Sequence, residues 1–430
     1  MSLLEKPTRR EVLATAAAMG AAGMLSAQPA AAGDDAVRPF HIAFADEDLA
    51  DLKRRIQAAK WPDREQVADT TQGVQLATMQ ELAGYWASQY DWRECEARLN
   101  AAPNFVTGID GLDIHFIHVR SKYENALPMI VTHGWPGSII EQMKIIEPLT
   151  DPVAHGGNAA DAFDLVIPSL PGYGFSGKPI AAGWNPPRIA KAWAELMRRL
   201  GYSKYVAQGG DWGNAVTENM ALQQPPGLLG IHTNMPATVP ADISSALAAG
   251  QQPAGLAPDE RNAWDQLVFF NRNGLGYAIE MNNRPQTLFA LADSPVGLAA
   301  WMIDHDDRSQ KMIARVFAGQ SEGLSKDDVL DNVTLYWLTN TAISSARLYW
   351  DNAHHPTGGF FDVRGIEIPV AVTAFPDEIY TAPRSCAEKA YPKLIHHNKT
   401  PKGGHFAAWE QPEFFVMEMR ESFRPLRKST

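Results

Sequence analysis

The fold of this chain is organised around one short stretch, Gly209-Gly210-Asp211-Trp212-Gly213. An apolar run that favours a strand, Tyr205-Val206-Ala207, precedes it, and a helix can begin at Asn214. A sharp turn between strand and helix, with the pattern Gly-x-nucleophile-x-Gly, is typical of the nucleophile elbow, where serine is usual. The same five residues also fit a simpler structure, in which Asp211 caps a helix after a glycine turn.

Aspartate at this turn changes the chemistry that the elbow can support. A serine must lose a proton before it attacks, whereas a carboxylate with an ordinary pKa of about 3.9 is already ionised at neutral pH. Such a group suits displacement at a strained or activated sp3 carbon better than cleavage of an amide. The attack would leave an ester on Asp211. A second step must then hydrolyse that ester, which requires a general base and an oxyanion hole.

Partners for Asp211 follow in the chain order nucleophile, acid, histidine. A strand signal at residues 368–373 leads directly to Asp377 and Glu378, and His405 follows in the glycine-flanked turn of residues 403–406. The pattern predicts His405 as the general base. From the residues alone, either acid could orient its imidazole.

A second glycine-containing loop, residues 133–138 (His-Gly-Trp-Pro-Gly-Ser), follows the apolar run at residues 128–132. A loop at this position can supply a backbone donor to an oxyanion hole. We predict that the N–H groups of Trp135 and Trp212 are the donors, because Pro136 has no N–H. An ordinary Gly-Pro turn is the alternative for this loop.

Strand-like and helix-like segments alternate through most of the chain. Residues 105–119 alternate around Asp110-Gly111, which predicts a hairpin, and residues 163–168 form another short apolar run. We therefore predict an α/β fold with a mostly parallel sheet that starts antiparallel. The predicted divisions are an N-terminal extension at 34–125, a core first half at 126–240, a helical lid at 241–355 and a core second half at 356–430.

The first 33 residues have the features of an export signal. Arg9-Arg10 stands ahead of a mildly apolar Ala/Gly-rich stretch, and Ala30-Ala31-Ala32 offers small residues for cleavage. We predict a twin-arginine signal that delivers the protein to a bacterial periplasm or beyond, with a disordered extension as the alternative. No later apolar run reaches spanning length, so the mature protein is expected to lack a stable membrane span.

Composition limits the classes of partner. The chain has 430 residues, a net charge of −11 and no long basic run, which argues against nucleic acid and against an anionic membrane surface. Cys95 and Cys386 are far apart, so a disulfide is permitted but not predicted. Neither a metal-ligand spacing nor a dinucleotide fingerprint stands out, and we predict no cofactor and no metal.

Taken together, these motifs resemble the microsomal-type epoxide hydrolases of the α/β-hydrolase fold. The resemblance extends from about residue 38 to the C-terminus, and no single motif carries it. The matching stretches are Arg38-Pro39-Phe40, His133–Ser138, Pro171–Ser176, Gly209–Gly213, Asp293–Trp301, Phe375–Glu378 and Gly403–Ala408. One departure is the N-terminus, where this chain has an export signal and membrane-bound relatives have an anchor.

The resemblance implies roles for further residues. It implies that Tyr277 and Tyr349, on the lid, hydrogen-bond the epoxide oxygen and support ring opening. It also implies that Glu378 rather than Asp377 is the acid behind His405. From sequence alone, packing is the favoured role for either tyrosine, and the resemblance reverses that preference.

The sequence therefore predicts an epoxide hydrolase that makes a vicinal diol through an ester on Asp211. The expected substrate is a small, apolar epoxide, with water as co-substrate. The lid aromatics fit such a substrate, although core packing explains them equally well; they are Trp264, Phe269, Phe270, Phe289 and Trp301. The alternatives are a haloalkane dehalogenase, which needs no tyrosine pair, and a non-catalytic ligand-binding homologue.

Overall fold

The computed structural model describes residues 35–320, 323–356, 358–359 and 361–427. The predicted export signal at residues 1–33 lies outside this part of the chain. One nine-stranded sheet runs through the molecule in the order β1-β2-β3-β5-β4-β6-β7-β8-β9. Its strands are Arg38–Pro39, Asn104–Ile109, Leu112–Val119, Leu127–Thr132, Phe163–Pro168, Tyr205–Gly209, Leu228–Thr233, Val370–Ala374 and Leu394–Lys399, numbered β1 to β9.

Antiparallel pairing is confined to the first part of the sheet. Strands β1, β2, β3 and β5 pair antiparallel, and all pairs from β5 through β4 to β9 are parallel. The predicted hairpin is confirmed: β2 and β3 meet around Asp110 and Gly111, which both have positive φ as a two-residue hairpin turn requires. The mostly parallel α/β sheet is therefore the predicted one.

Helices surround the sheet in three groups. The first group, α1 to α6, lies between β1 and β7 in the chain, at Asp46–Gln57, Leu76–Ser88, Trp92–Ala101, Met143–Thr150, Pro186–Arg199 and Trp212–Gln223. Between β7 and β8 lie α7 to α13, at Ala241–Ala249, Pro258–Phe269, Gly276–Asn283, Pro295–Ile303, Asp307–Phe317, Lys326–Thr339 and Ala342–Ala353. After β8 lie α14 to α16, at Arg384–Ala390, Ala407–Glu410 and Pro412–Arg427.

The helices α7 to α13 fall within the predicted lid and are called the lid below, and its helix α12 is bonded to segments on two sides. Trp86, on α2 of the N-terminal extension, donates from its indole Nε1 to Thr334 Oγ1 at 3.0 Å. Tyr90 donates to Asp331 Oδ1 at 2.8 Å. From the other side, Tyr336 of α12 donates to the carbonyl of Gly137 at 2.7 Å. The extension, the lid and the loop after β4 are thereby connected through one helix.

Two further observations concern cysteines and membranes. Cys95 and Cys386 are both buried and both are free thiols, so they do not pair with each other. Among the helices of the described residues, none is long and apolar enough to cross a membrane.

Candidate active site

Asp211 stands at the tip of the turn between β6 and α6. Its backbone has φ 51° and ψ −127°, a region in which a residue with a Cβ is strained by about 1–3 kcal/mol. Its side chain makes no capping hydrogen bond to the first turn of α6. The carboxylate instead accepts a hydrogen bond from the backbone N–H of Trp135, with Oδ1 at 2.8 Å. The carboxylate therefore does not cap the helix, and the helix-cap alternative is wrong.

Two glycines make this turn possible because neither has a side chain. A Cβ at Gly213 would collide with the carbonyl of Thr132 at the end of β4. A Cβ at Gly134 would collide with the Asp211 side chain. The small residues therefore let the elbow and the loop after β4 approach each other closely, as the pattern of glycines around a nucleophile elbow requires.

Of the two predicted oxyanion donors, Trp135 contacts Asp211 and Trp212 is its neighbour in the chain. The Trp135 N–H already contacts Asp211 Oδ1. Trp212 is the first residue of α6, so its N–H lies at the positive end of the helix dipole. The loop that carries Trp135 is held by the lid, because Asn332 of α12 donates from Nδ2 to the carbonyl of Pro136 at 2.7 Å.

His405 lies next to Asp211 and is backed by Glu378. Its Nδ1 is 2.7 Å from Glu378 Oε1, and its Nε2 is 3.6 Å from Asp211 Oδ2. Burial alone would lower the pKa of His405, but the carboxylates of Glu378, Asp211 and Asp306 outweigh it and raise that pKa to about 10. The imidazole is therefore protonated at neutral pH and forms an ion pair with its carboxylates.

Only one of the two candidate acids faces His405. The Glu378 side chain is 0% exposed, whereas that of Asp377 is 49% exposed and pairs with Arg308 Nη1 at 3.0 Å. The choice that the residue pattern leaves open is therefore settled geometrically in favour of Glu378. The acid that the family resemblance implies is the one in contact.

Tyr277 and Tyr349 come from lid helices α9 and α13 and meet above Asp211. Both are buried, and their ring centroids are 6.0 Å apart. Tyr277 stacks on Trp135 at 4.9 Å, and Tyr349 meets Trp212 edge-on at 4.7 Å. Burial, reinforced by the charge of Asp211, raises the pKa of both phenols well above its ordinary value. Both hydroxyls therefore remain protonated and can donate.

A cavity of about 260 Å³ joins these groups. Asp211, Tyr277 and Tyr349 line it together with mostly apolar side chains. Those side chains include Met235, Phe270, Leu275, Ala278, Phe361 and Ile379. Of the lid aromatics that the sequence suggested, only Phe270 lines this cavity. Phe269 and Phe289 are exposed at the surface, which gives them no contact with a substrate inside it.

Sequence reasoning missed an acid on the other side of Asp211. Glu141, in the 3-10 turn Ile139–Gln142, lines a cavity of about 20 Å³ with Asp211, His405 and Gln208. Its carboxylate occupies the space that a side chain at Gly137 would fill. Burial raises the pKa of Glu141 to about 8. In the sequence, Glu141 follows the Trp135 loop and belongs to no motif. Only its burial in the fold distinguishes it from other acids.

His305, between α10 and α11, is the second residue that sequence reasoning missed. Its side chain is 1% exposed, and its ring lies 4.5 Å from that of His405, centroid to centroid. No sequence motif contains His305, and the only polar partner that the sequence places beside it is Asp306.

A mostly parallel sheet with a carboxylate at its elbow, a histidine–acid pair and a helical lid defines an enzyme of the α/β-hydrolase class. The sequence agrees with this class. Residues 128–338 match the family model "alpha/beta hydrolase fold", and residues 37–142 match the model "Epoxide hydrolase N terminus".

Individual relatives narrow the class to one family. The chain is 51% identical over 397 residues to a Stigmatella aurantiaca protein named "Putative epoxide hydrolase", covering 91% of this chain and 86% of that one. It is 33% identical to epoxide hydrolase 1 of Sus scrofa, covering 92% and 90%. The crystal structure of juvenile hormone epoxide hydrolase from Bombyx mori superposes with a TM-score of 0.81 at 29% identity, covering 92% and 96%.

The chain belongs to the epoxide hydrolase family. It hydrolyses an epoxide, with water as the second substrate, to a vicinal diol. This family membership favours the predicted activity over the dehalogenase and the ligand-binding homologue.

Proposed function

We propose that Asp211 opens the epoxide ring by attacking one ring carbon through Oδ2. Oδ1 is held by the Trp135 N–H, which leaves Oδ2 for the substrate. As the new C–O bond forms, the ring C–O bond breaks, and Tyr277 or Tyr349 gives a proton to the departing oxygen. The observation that carries this proposal is that the carboxylate and both phenols line one cavity.

In the second step, water attacks the ester carbonyl of Asp211 while His405 accepts its proton. Negative charge then develops on Oδ1, which the Trp135 N–H contacts, and the Trp212 N–H is the proposed second donor. As this intermediate collapses, the bond between Cγ and Oδ2 breaks, the leaving oxygen takes a proton from His405, and the diol departs. The new Asp211 carboxyl group returns a proton to His405 and is a carboxylate again. Esterification removes the charge of Asp211, which is one cause of the raised pKa of His405. The pKa of His405 therefore falls once the ester has formed. The proton on His405 can then pass to the tyrosinate left by ring opening, which prepares the imidazole to act as a base.

The hydrolytic water has a suitable place beside Glu141. A cavity of about 20 Å³ has room for about one water molecule, and it adjoins both Asp211 and His405. The amide oxygens Oε1 of Gln142 and Gln208, both from residues lining it, are buried and have no hydrogen-bond partner among the described residues. A neutral Glu141 carboxyl can both donate to a water and accept from it. We assign Glu141 as the positioning residue of this water.

The preferred substrate of this cavity is an uncharged, apolar epoxide. Charged side chains other than Asp211 do not line the cavity within the described ranges, and its walls are mostly apolar. We also propose that residues 1–33 direct the enzyme to the periplasm through the twin-arginine route, on the strength of Arg9-Arg10 and the small residues that follow.

A single turnover in water labelled with oxygen-18 tests the mechanism. Excess enzyme reacts with styrene oxide, and peptide mass spectrometry then follows label in the peptide that contains Asp211. Label in the Asp211 carboxylate is expected, and its absence would contradict the mechanism through an ester on Asp211. His405→Gln should instead trap the unhydrolysed ester.

The tyrosines are tested in the same experiment. Replacement of both Tyr277 and Tyr349 by Phe should leave Asp211 unlabelled, because the ring no longer opens. Tyr85→Phe is the control, since Tyr85 bonds Asp327 and neither residue lines the cavity. Full labelling in the double variant would contradict the role given to the two phenols.

A further inference from the structure

His305 is a buried lid histidine that the proposed reaction leaves without a role. Its Nδ1 lies 3.1 Å from Asp306 Oδ2. Its Nε2 is buried and has no hydrogen-bond partner among the residues that the structure describes. Since buried polar atoms are nearly always bonded, an unpartnered ring nitrogen in an active site points to a missing ligand.

Three side chains bring a potential metal-binding atom to the same place. One ring nitrogen of His305, one of His405 and one carboxylate oxygen of Asp211 all lie within 4.8 Å of one another, and all three residues are buried. Two imidazoles and a carboxylate are a donor set that Zn²⁺ takes, with a further coordination position left for water. The surrounding carboxylates of Glu378 and Asp306 favour a cation there.

The residues behind the two histidines are also those expected at a zinc site. His405 Nδ1 contacts Glu378 Oε1 at 2.7 Å, and His305 Nδ1 contacts Asp306 Oδ2 at 3.1 Å. In zinc proteins, a ligating histidine usually donates its other ring N–H to a carboxylate, which fixes the tautomer and the ring orientation. Both carboxylates therefore leave the Nε2 atoms as the metal-binding atoms, and Nε2 of His405 is 3.6 Å from Asp211 Oδ2.

We propose that Asp211, His305 and His405 form a site for one Zn²⁺ ion that inhibits the enzyme. Binding displaces the proton of His405 to solvent, as for any imidazole that becomes a ligand. The bound ion is then coordinated by the Asp211 carboxylate and the His405 imidazole together. Inhibition, but not binding, rests on the proposed roles of Asp211 and His405 as nucleophile and base.

Calorimetric titration of the purified, chelator-treated protein with ZnCl₂ tests the site. One ion per chain is expected, together with loss of styrene oxide hydrolysis that EDTA restores. Mg²⁺, which prefers oxygen ligands, should not inhibit. His305→Gln should weaken Zn²⁺ binding at least about tenfold, and Asp306→Asn should weaken it less, because it removes only the carboxylate behind the ligand. His354→Gln, at an exposed histidine, is the matched control and should bind as the parent does.

Equal Zn²⁺ affinity in His305→Gln, Asp306→Asn and the parent would overturn the site. Binding of the ion to a parent protein that keeps full activity would overturn the inhibition. Activity in the metal-free parent and the oxygen-18 label on Asp211 are measured without zinc, so a failure of the proposed reaction is seen separately. Thermal unfolding of each variant shows whether it has folded, and Asp306→Asn decides the question if His305→Gln has not.

Discussion

A carboxylate at position 211 needs no base to attack, so the second step carries most of the catalytic demand. In the proposed mechanism, the ester of Asp211 persists until a water is positioned and deprotonated next to it. His405 and Glu141 approach Asp211 within the same small cavity. His405 is visible in the sequence because glycines flank it and the chain order demands a histidine there. Glu141 is not, because burial rather than any local pattern sets it apart.

Glu141 should matter for ester hydrolysis and not for ester formation. Glu141→Leu removes the groups that hold the water, and misplacement of a reactant can cost about a hundredfold in rate. Glu141→Gln should keep most of the rate, since its amide can still donate and accept. Rapid-quench kinetics with mass spectrometry of the ester measures the two steps separately.

Glu218→Leu is the control for that comparison. Glu218 is equally buried, with a pKa raised by burial to about 7, but it bonds the N–H of Ala237 and lies outside the small cavity. Its loss should lower the free energy of unfolding and leave ester hydrolysis unchanged. Equal slowing in both variants would show that Glu141 acts through stability alone.

The ion pairs of His405 should make stability depend on pH in a defined window. Its pKa is about 10 in the folded chain against an ordinary value of 6.5, so its contribution is fully present below about pH 6.5 and is lost as the pH rises toward about 10. Urea unfolding should therefore show the parent losing stability relative to His405→Gln across this window. A difference between the two proteins that stays constant with pH would contradict the raised pKa.

Among the elements, those with a strong local pattern are the ones that the sequence predicts. The β2–β3 hairpin and β4, β5, β6 and β8 all appear, with β8 beginning just after Pro369, which has no N–H for the ladder. The two-residue strand β1 was not predicted, and neither were β7 and β9. Strand β7 contains a glycine and a histidine, and β9, Leu394–Lys399, carries His, Asn and Lys at a sheet edge. Their pairing in the sheet decides their conformation.

The junction of β6, α6 and the end of β4 should tolerate no side chain at Gly213. In Gly213→Ala, the new Cβ meets the Thr132 carbonyl, and such overpacking costs typically about 1–3 kcal/mol of unfolding free energy. Gly84→Ala, on α2, meets nothing within 4 Å and should be neutral or stabilising. Chemical denaturation of both variants tests this, and equal stabilities would refute the close approach at the elbow.

At the scale of the whole molecule, the N-terminal extension supports the active site without entering it. Trp86 and Tyr90 hold lid helix α12, and Asn332 and Tyr336 of α12 hold the carbonyls of the loop that carries Trp135. This chain of contacts links the extension to the oxyanion donor. It gives a physical reason for an N-terminal module that contributes no catalytic side chain.

The export proposal also concerns the whole molecule. Replacement of Arg9 and Arg10 by Lys should keep the protein in the cytoplasm of a bacterial host, because the twin-arginine route reads that pair. Cell fractionation with an activity assay measures the distribution. The same change at Arg54 and Arg55, on helix α1, is the matched control and should leave export intact. Unchanged export in the first variant would refute the signal.

The sequence by itself determined the elbow, the order of the catalytic residues, the hairpin and the α/β alternation. The elbow, the hairpin and the alternation depend on neighbours within a few residues, where glycine conformation and side-chain periodicity act, and the order of the predicted catalytic residues is read directly from the chain. The tertiary structure decided that Asp211 is not a helix cap and brought Glu141 and His305 to the nucleophile. It also put Glu378, the acid that the family resemblance implied, in contact with His405. Those outcomes depend on burial and on contacts between segments far apart in the chain, which no local pattern encodes.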